Sequence, residues 1–278
     1  VETKAYGDVS KTNKAPTKNF FASKVILACG GESYPNTGSD GDGIRLAKIA
    51  GHKVEETFPS LVGLRLLGYN ANSINPKLIN FETKNVGAVV KDAKGRIIAK
   101  EFGDIIFRED YIDGPIILTI SRQVASKIGM EKLVLELDLK PAIDTISLDK
   151  RFQTELNQRG RETIESSLRA FLPLEIIYLL KSKARLDFSK PSSQINKEER
   201  KKIIDLMKNM SFEIEDSMGF QRAVVTQGGV SLKEVNPKTL QSKLIEGLYF
   251  CGEVLDLDAD TGGFNLQIAF STGFLAGS

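Results

Sequence analysis

Residues 24–51 read KVILACGGESYPNTGSDGDGIRLAKIAG, and this stretch decides the fold. Val25, Ile26, Leu27 and Ala28 form a short continuous apolar run, the pattern of a parallel strand covered on both faces. A glycine-rich turn follows. Asp42 then stands as an N-cap before Ile44, Leu46, Ala47 and Ala50, and Gly51 takes the C-cap place, so the spacing predicts a compact helix over 43–50. The far end of the chain repeats this logic: Leu248 to Cys251 is a buried-strand run, 252–263 is a loop rich in Gly and Asp, and Leu266 to Ala276 is apolar and helical. Both ends are expected in one α/β layer, built from 1–60 and 220–278.

Between them the character changes. Val86 to Val90, a turn at Asp92-Ala93-Lys94-Gly95 and Arg96 to Ala99 predict a β-hairpin, with further strands at Leu61 to Leu67, Asp104 to Phe107 and Leu133 to Leu137. Pro115 suits the first position of a helix over Ile116 to Ile128. These segments predict an inserted β domain over 61–140 and 211–219. From Asp149 to Met210 the apolar period is helical, with breaks at Pro173 and Pro191, so 141–210 is assigned as a helical insert. Its run Lys197-Glu198-Glu199-Arg200-Lys201-Lys202 mixes signs and reads as a solvated helix face rather than a phosphate-contacting patch.

The 278 residues carry 38 Lys and Arg against 36 Asp and Glu, a formal net charge of +2. That balance excludes a disordered chain and gives no reason to invoke nucleic acid or a membrane. One His and two Cys are too few soft ligands for a zinc or iron–sulfur site, so no metal is expected, and a Ser-His-Asp triad would have to use His52. Cys29 and Cys251 each close an apolar run and are expected as small buried hydrophobes in a reducing compartment, hence a cytoplasmic location. No apolar stretch approaches the ~20 residues of a membrane span, and Val1-Glu2-Thr3-Lys4 opens no signal-peptide core. The chain does not begin with Met, so a preceding segment could carry an address.

Gly30-Gly31 followed by Thr37-Gly38-Ser39-Asp40-Gly41-Asp42-Gly43 is, by itself, a common kind of strand-to-helix turn. Glycines nevertheless let an extended ligand lie against the backbone, and the N–H groups at the start of a helix offer donors to negative charge. Gly228-Gly229, Gly252-Glu253 and Gly262-Gly263, with Asn265 at the start of the last helix, sharpen the case. Three backbone approaches in one layer point to one long ligand.

Three stretches carry a resemblance: VILACGGESYPNTGSDGDGIRLAKIAGHKVEETFPSLVGL (25–64), AVVTQGGVSLKEVNPKTLQSK (223–243) and GLYFCGEVLDLDADTGGFNLQIAFSTGFLAG (247–277). In this order they resemble the bacterial BaiN-type, aminoacetone-oxidase-like family of NAD(FAD)-utilising flavoproteins, within the glutathione-reductase superfamily. The close matches span about a third of the chain. The resemblance implies an α/β fold in which an FAD/NAD(P)-binding three-layer domain is interrupted by an inserted β-barrel-like domain and a helical subdomain. It implies FAD, held by Ala28, Gly30, Gly31, Gly228, Gly229, Gly252, Glu253, Gly262, Gly263, Phe264 and Asn265. Glu253 would face the ribityl chain, and the turn 261–265 would bring the start of the last helix to the pyrimidine edge of the isoalloxazine. Asp256, Asp258 and Asp260 read as loop-capping carboxylates rather than cation ligands, and His52 as structural.

The chain also departs from that family. Its N-terminal G-x-G-x-x-G unit is absent, so the chain is expected to begin in the hairpin before the second strand motif and to stop inside the last helix. Cys29 stands where the family usually has Thr, and Phe264 where it has Tyr. Of a Thr-His-x-Gly-x-Ser-Gly-Pro stretch only Gly114-Pro115 survives, in Arg108-Glu109-Asp110-Tyr111-Ile112-Asp113-Gly114-Pro115. The expected function is an FAD-dependent oxidoreductase acting on a small organic substrate with NAD(P)H as electron partner. An FAD-dependent RNA-modifying flavoprotein and a catalytically silent fragment are the alternatives. No catalytic residue is assigned; Tyr34, Arg65, Arg108 and Arg222 are candidates for a cleft between the layer and the insert. The oligomeric state stays open.

Overall fold

In the computed structural model, residues 2–3 and 18–278 are described. The backbone segments β1 (Glu2–Thr3) and β2 (Lys18–Asn19) pair antiparallel. Next come β3 (Val25–Leu27), α1 (Asp42–Ile49) and β4 (Val54–Ser60). Asp42 is not the cap of α1. Gly41 is, in the left-handed region at φ 82°, a conformation that glycine adopts without steric cost. Arg45 N donates to the Gly41 carbonyl at 2.9 Å, so the helix begins one residue earlier than the sequence suggests. Asp42 becomes its first residue, an acid at the positive end of the helix, and pairs with Arg45.

The middle of the chain runs through β5 (Leu64–Leu66), the short α2 (Ala71–Ile74), β6 (Phe81–Lys91), β7 (Ile97–Phe107), β8 (Ile112–Asp113), α3 (Pro115–Val124) and β9 (Leu133–Asp138). Four α-helical segments follow, α4 (Thr145–Gln158), α5 (Ile164–Leu168), α6 (Leu174–Ala184) and α7 (Lys197–Lys208), before β10 (Met210–Ser217) returns. β10, β5, β8, β7, β6 and β9 close, in that order, into a six-stranded barrel. The expected hairpin is longer than its apolar run, and the separate strand at Asp104 to Phe107 is the end of β7. A register shift between Thr83 and Val86, with Asn85 at φ 57°, lets β6 stay paired as far as Phe81↔Phe107. The strand expected from Leu61 starts only at Leu64, because Leu61 turns the chain at φ 51°.

Side chains of β9 alternate as a half-buried strand should: Leu133, Leu135 and Leu137 are buried and Val134, Glu136 and Asp138 are partly exposed. Pro115 holds the N1 position of α3 as expected, and α4 begins at Thr145, capped by Asp144, whose carboxylate accepts from Ser147 N at 2.9 Å. A capping box, Asn196 with Glu199, starts α7. On that helix Arg200 pairs with Asp149 and Glu199 with Lys190, and the mixed run lies on a solvated face. Barrel and helices share one contiguous apolar core that includes Phe107, Leu135, Phe152, Ile177 and Phe188.

A second core serves the α/β end, which closes with β11 (Val225–Val230), β12 (Leu248–Phe250) and α8 (Phe264–Gly277). β12 pairs parallel with β3, and β11 antiparallel with β4. The β3 strand is covered on one face only: Leu27 is buried, while Ile26, on the opposite face, is 43% exposed. The two bodies are stitched at 61–63 and 218–224, where Val62 N donates to Ser121 Oγ (2.9 Å), Met218 N to Gly63 O (2.9 Å) and Val224 N to Leu61 O (3.2 Å).

Leu135 is wholly buried in the barrel. Leu135→Ala is expected to lower unfolding stability by about 2–5 kcal/mol, whereas Val134→Ala, one residue along on the outer face, should cost well under half of that. Urea titration of both variants, read by circular dichroism, checks the inward–outward register.

Candidate cofactor site

The parallel register Leu248↔Val25 to Phe250↔Leu27 brings the carboxyl ends of β3 and β12 to one edge, and Cys251 N extends it with a bond to Leu27 O at 3.1 Å. Ligands of open α/β sheets bind at such an edge. Ala28 to Gly31 leave β3 there, and Gly252 and Glu253 leave β12. Ala28 is exposed, Gly30 has φ 74°, and Gly31 is buried.

Thr226 on β11 joins these two exits. Its Oγ1 accepts Glu32 N at 2.8 Å and Ser33 N at 3.1 Å, and lies 2.9 Å from Ser33 Oγ. Its backbone N donates to Glu253 Oε1 at 2.7 Å. A Cβ on Gly31 would stand 2.3 Å from Thr226 Oγ1 and 2.7 Å from Glu253 Oε1, so only glycine fits. Glu253 is thereby aimed by one carboxylate oxygen, and Oε2 has no hydrogen-bond partner among the described residues.

α8 is fixed to the exit of β12 at its middle, where Gly252 N donates to Thr272 Oγ1 at 2.9 Å, and the turn into it follows the loop after Glu253. Gly262 and Gly263 have φ 112° and 90°, are exposed, and nothing lies within 4 Å of where a Gly263 Cβ would be. No side chain caps α8 and no acid occupies its first turn, so the leading N–H groups of a 14-residue helix face outward. Phe264 is 59% exposed beside Gly262. Asn265 spends its amide on the loop: Oδ1 accepts Ala259 N at 2.8 Å and Nδ2 donates to Ala259 O at 2.8 Å. From the barrel side, Arg122 on α3 reaches Asp258 Oδ2 through Nε at 2.7 Å, the Asp258 carbonyl at 2.9 Å, and Asp260 at 3.3 Å. Asp258 and Asp260 are thus paired carboxylates, while burial, then Glu55 and Asp258, push the Asp256 carboxyl above its ordinary range. Among the described residues no cluster of His, Cys, Asp and Glu could hold a metal ion.

Not every sequence-selected residue faces this opening. Gly228 and Gly229 are buried, and the close approach they allow is to the protein's own backbone: added Cβ atoms would lie 2.1 Å from Glu56 O and 2.6 Å from Val254 O. Cys251 is buried, with burial and then Cys29 pushing its thiol up, but Cys29 is exposed, against the expectation of two buried thiols. The reason is that β3 ends at Leu27 and the chain is already leaving the layer. His52 is buried edge-on against Phe250, its Nε2 2.7 Å from Ser242 Oγ. Ser242 Oγ also accepts Leu244 N and Ile245 N, which leaves its own proton for the imidazole and makes His52 a structural group. Of the four cleft candidates, Arg65 pairs with Asp110 at 3.6 Å and Arg108 with Asn80 and Asp113, while Arg222 donates to the Tyr111 hydroxyl at 3.2 Å and Tyr34 N donates to Phe220 O at 3.1 Å. Sequence reading missed Thr226 and Arg122; Thr226 has a signal in its place just before Gly228-Gly229, but Arg122 lies 136 residues from its partner and has none.

A glycine edge, an aimed carboxylate and an open helix N-terminus suit a long, partly anionic cofactor of the dinucleotide kind. Comparison with known proteins agrees with that class. The chain is 32% identical over 271 residues to the 3-dehydro-bile acid delta(4,6)-reductase of Clostridium scindens, covering 95% of this chain and 63% of the relative. It is 25% identical over 250 residues to the ribosomal RNA dihydrouridine synthase of Escherichia coli and 27% identical over 255 residues to that of Haemophilus influenzae, each time covering 90% of this chain and 58% of the relative. The chain therefore spans about three-fifths of the length of these curated relatives. The model of the HI0933-like protein Rossmann domain matches residues 2–278, and the chain belongs to that family.

Proposed function

We propose that this chain works as an FAD-dependent oxidoreductase on a small organic substrate, with NAD(P)H as the electron partner. The observation that carries the reading is the uncapped N-terminus of α8 after the exposed Gly262-Gly263 turn, on the helix whose Thr272 accepts Gly252 N from the exit of β12. FAD, when bound, supplies hydride transfer. The chain's part is electrostatic and positional. The outward N–H groups of Phe264, Asn265 and Leu266, with the positive end of α8, stabilise negative charge placed against them and so favour a reduced cofactor. Glu253 Oε2 can accept hydroxyl donors of a ribityl chain, and Gly31 keeps that approach free of a side chain. Asn265 and Arg122 hold the turn in place. The name of the Clostridium relative, a reductase, supports the reaction class.

The names of two relatives favour a second reading, an FAD-dependent enzyme acting on RNA. Against it stand the net charge of only +2 and the ion pairs that occupy Arg200 and Lys190 at the most basic helix.

The protein is expected to take up FAD and show a flavin absorption band that NADH or NADPH bleaches. A protein that stays colourless under excess FAD overturns the reading. Phe264→Tyr is expected to change flavin potential or turnover while unfolding stability moves by no more than about 0.5 kcal/mol, since the ring is already exposed. A change in stability alone would make Phe264 a packing residue. Thr226→Val leaves the N–H groups of Glu32 and Ser33 without their acceptor and is expected to cost about 1–3 kcal/mol, together with weaker FAD retention on a desalting column.

A further inference from the structure

The barrel and the helical insert meet at an open cavity of about 650 Å³, between the segment that follows β5 and the helix α6. Its size is that of a small-molecule site. None of its lining residues belongs to the cofactor edge, and no carboxylate lines it. What it presents is donors. Asn70 and Asn75 each commit Oδ1 to a backbone N–H, that of Ser73 at 2.9 Å and that of Lys77 at 3.0 Å. An N–H needs an oxygen, so both Nδ2 groups are left over, without a partner among the described residues. On the α6 side, Lys181 Nζ has no carboxylate within 4.0 Å and the Tyr178 hydroxyl no hydrogen-bond partner among the described residues. The Asp187 carboxylate, held below its usual range by Ser189 and, less, by Lys181, is occupied by the Ser189 hydroxyl at 2.6 Å and Ser189 N at 2.9 Å.

Both walls are set before anything enters. Tyr69 is buried, donates its hydroxyl to Arg108 O at 2.9 Å, and packs with Phe107 and Phe212 at centroid distances of 6.3 and 6.4 Å. Burial, then Asp110, pushes that hydroxyl above its ordinary range, so the ring stays neutral. Ala71 N donates to Glu109 O at 2.7 Å and Asn75 N to Ala71 O at 2.8 Å, which ties the two asparagines to the loop before β8. Opposite them, α6 buries Ile176, Ile177, Leu179 and Leu180 in the common core. Lys183 Nζ fastens the same helix to β10, 4.0 Å from the Phe212 ring centroid and 3.1 Å from Ser211 O. Tyr178 is left half-buried on the cavity wall.

We propose that this seam binds a phosphorylated small molecule with an aromatic ring, its phosphate met by Lys181, Asn70 and Asn75 and its ring by Tyr69 and Tyr178. A wall of unpaired donors around one ammonium, with no acid among them, needs a ligand rich in acceptors and negative charge. A phosphate monoester supplies three terminal oxygens and close to two charges, whereas a carboxylate supplies two oxygens and one charge. Lysine serves such a group as a point charge, and the two amides add directed bonds. The ligand would touch the barrel and α6 together. Because both walls are already ordered, little of the binding free energy is lost to arranging them.

Calorimetric titration of the protein with phenyl phosphate, benzoate, benzyl alcohol and inorganic phosphate tests this without any flavin. Phenyl phosphate is expected to bind about ten-fold more tightly than each of the other three. Lys181→Gln should weaken it by about ten-fold. Asn75→Asp should weaken it further, because aspartate caps as well as asparagine but replaces the amide donors with a negative acceptor. Lys84→Gln, which removes the same charge from an exposed position on β6, should leave binding unchanged. Melting temperatures of the variants confirm that they fold, and phenyl phosphate should raise that of the wild type but not that of Lys181→Gln. The proposal is overturned if benzoate or inorganic phosphate binds as well as phenyl phosphate, or if Lys84→Gln loses as much as Lys181→Gln. Absence of phenyl phosphate binding overturns it too. So does a 5′-phosphorylated RNA oligonucleotide that binds more tightly than phenyl phosphate and is lost in Lys181→Gln, which would assign the seam to nucleic acid.

Discussion

Thr226 accepts two backbone N–H groups from the turn after β3 through its hydroxyl and gives its own N–H to Glu253 after β12. The segments it joins are separated by 193 residues on one side and 27 on the other. β3 and β12 are only three residues long each, and three backbone pairs cannot by themselves fix where the loops beyond them go. The buried Thr226 hydroxyl does that, and because the groups it satisfies are buried or half-buried, any alternative placement of the loops leaves donors unpaired. Gly31 is the steric counterpart: the hub closes only if that residue has no side chain.

The insert takes part in the same constraint. Arg122 belongs to α3, which packs with the barrel, but its guanidinium grips the loop that leads into α8. Asp258 is nearly buried, so the pair is a demanding one: desolvation offsets much of its attraction, and its value lies in fixing geometry. Three donors on one planar group reach one carboxylate, one carbonyl and a second carboxylate, which specifies the loop's position and its orientation together.

Much of this was legible from local pattern. Apolar runs ending in glycine marked β3 and β12, Pro115 marked the start of α3, and Gly262-Gly263 marked the entry to α8. Local pattern failed where a backbone conformation or a distant partner decides. Gly41 displaced Asp42 as the cap of α1 because its φ of 82° was invisible in the residue order. Asn85 and the register shift beside it extended β6 past its apolar run. Cys29 follows a run that looks buried to its end, but the strand stops two residues earlier and the thiol is exposed. Gly228 and Gly229 look like any ligand-facing pair; only the neighbours Glu56 and Val254 show that they admit another part of the same chain.

That distinction among glycines bears on how the site is read. A glycine required by a ligand and one required by packing leave the same letter in the sequence, but they differ in what occupies the space of the absent Cβ. At Gly228, Gly229 and Gly31 the space is filled by protein atoms within 3 Å, so a methyl group there is opposed by the fold itself. At Gly263 the space is open, and the constraint on the residue is its φ of 90° alone. An exposed left-handed glycine at the head of an apolar helix, with no cap and no acid in the first turn, leaves helix N–H groups in need of a partner. Nothing in the described protein supplies that acceptor, and at the exit of β12 the hub at Thr226 holds Glu253 by one carboxylate oxygen. The glycines that are packed build the edge; the open one is held by its backbone conformation alone.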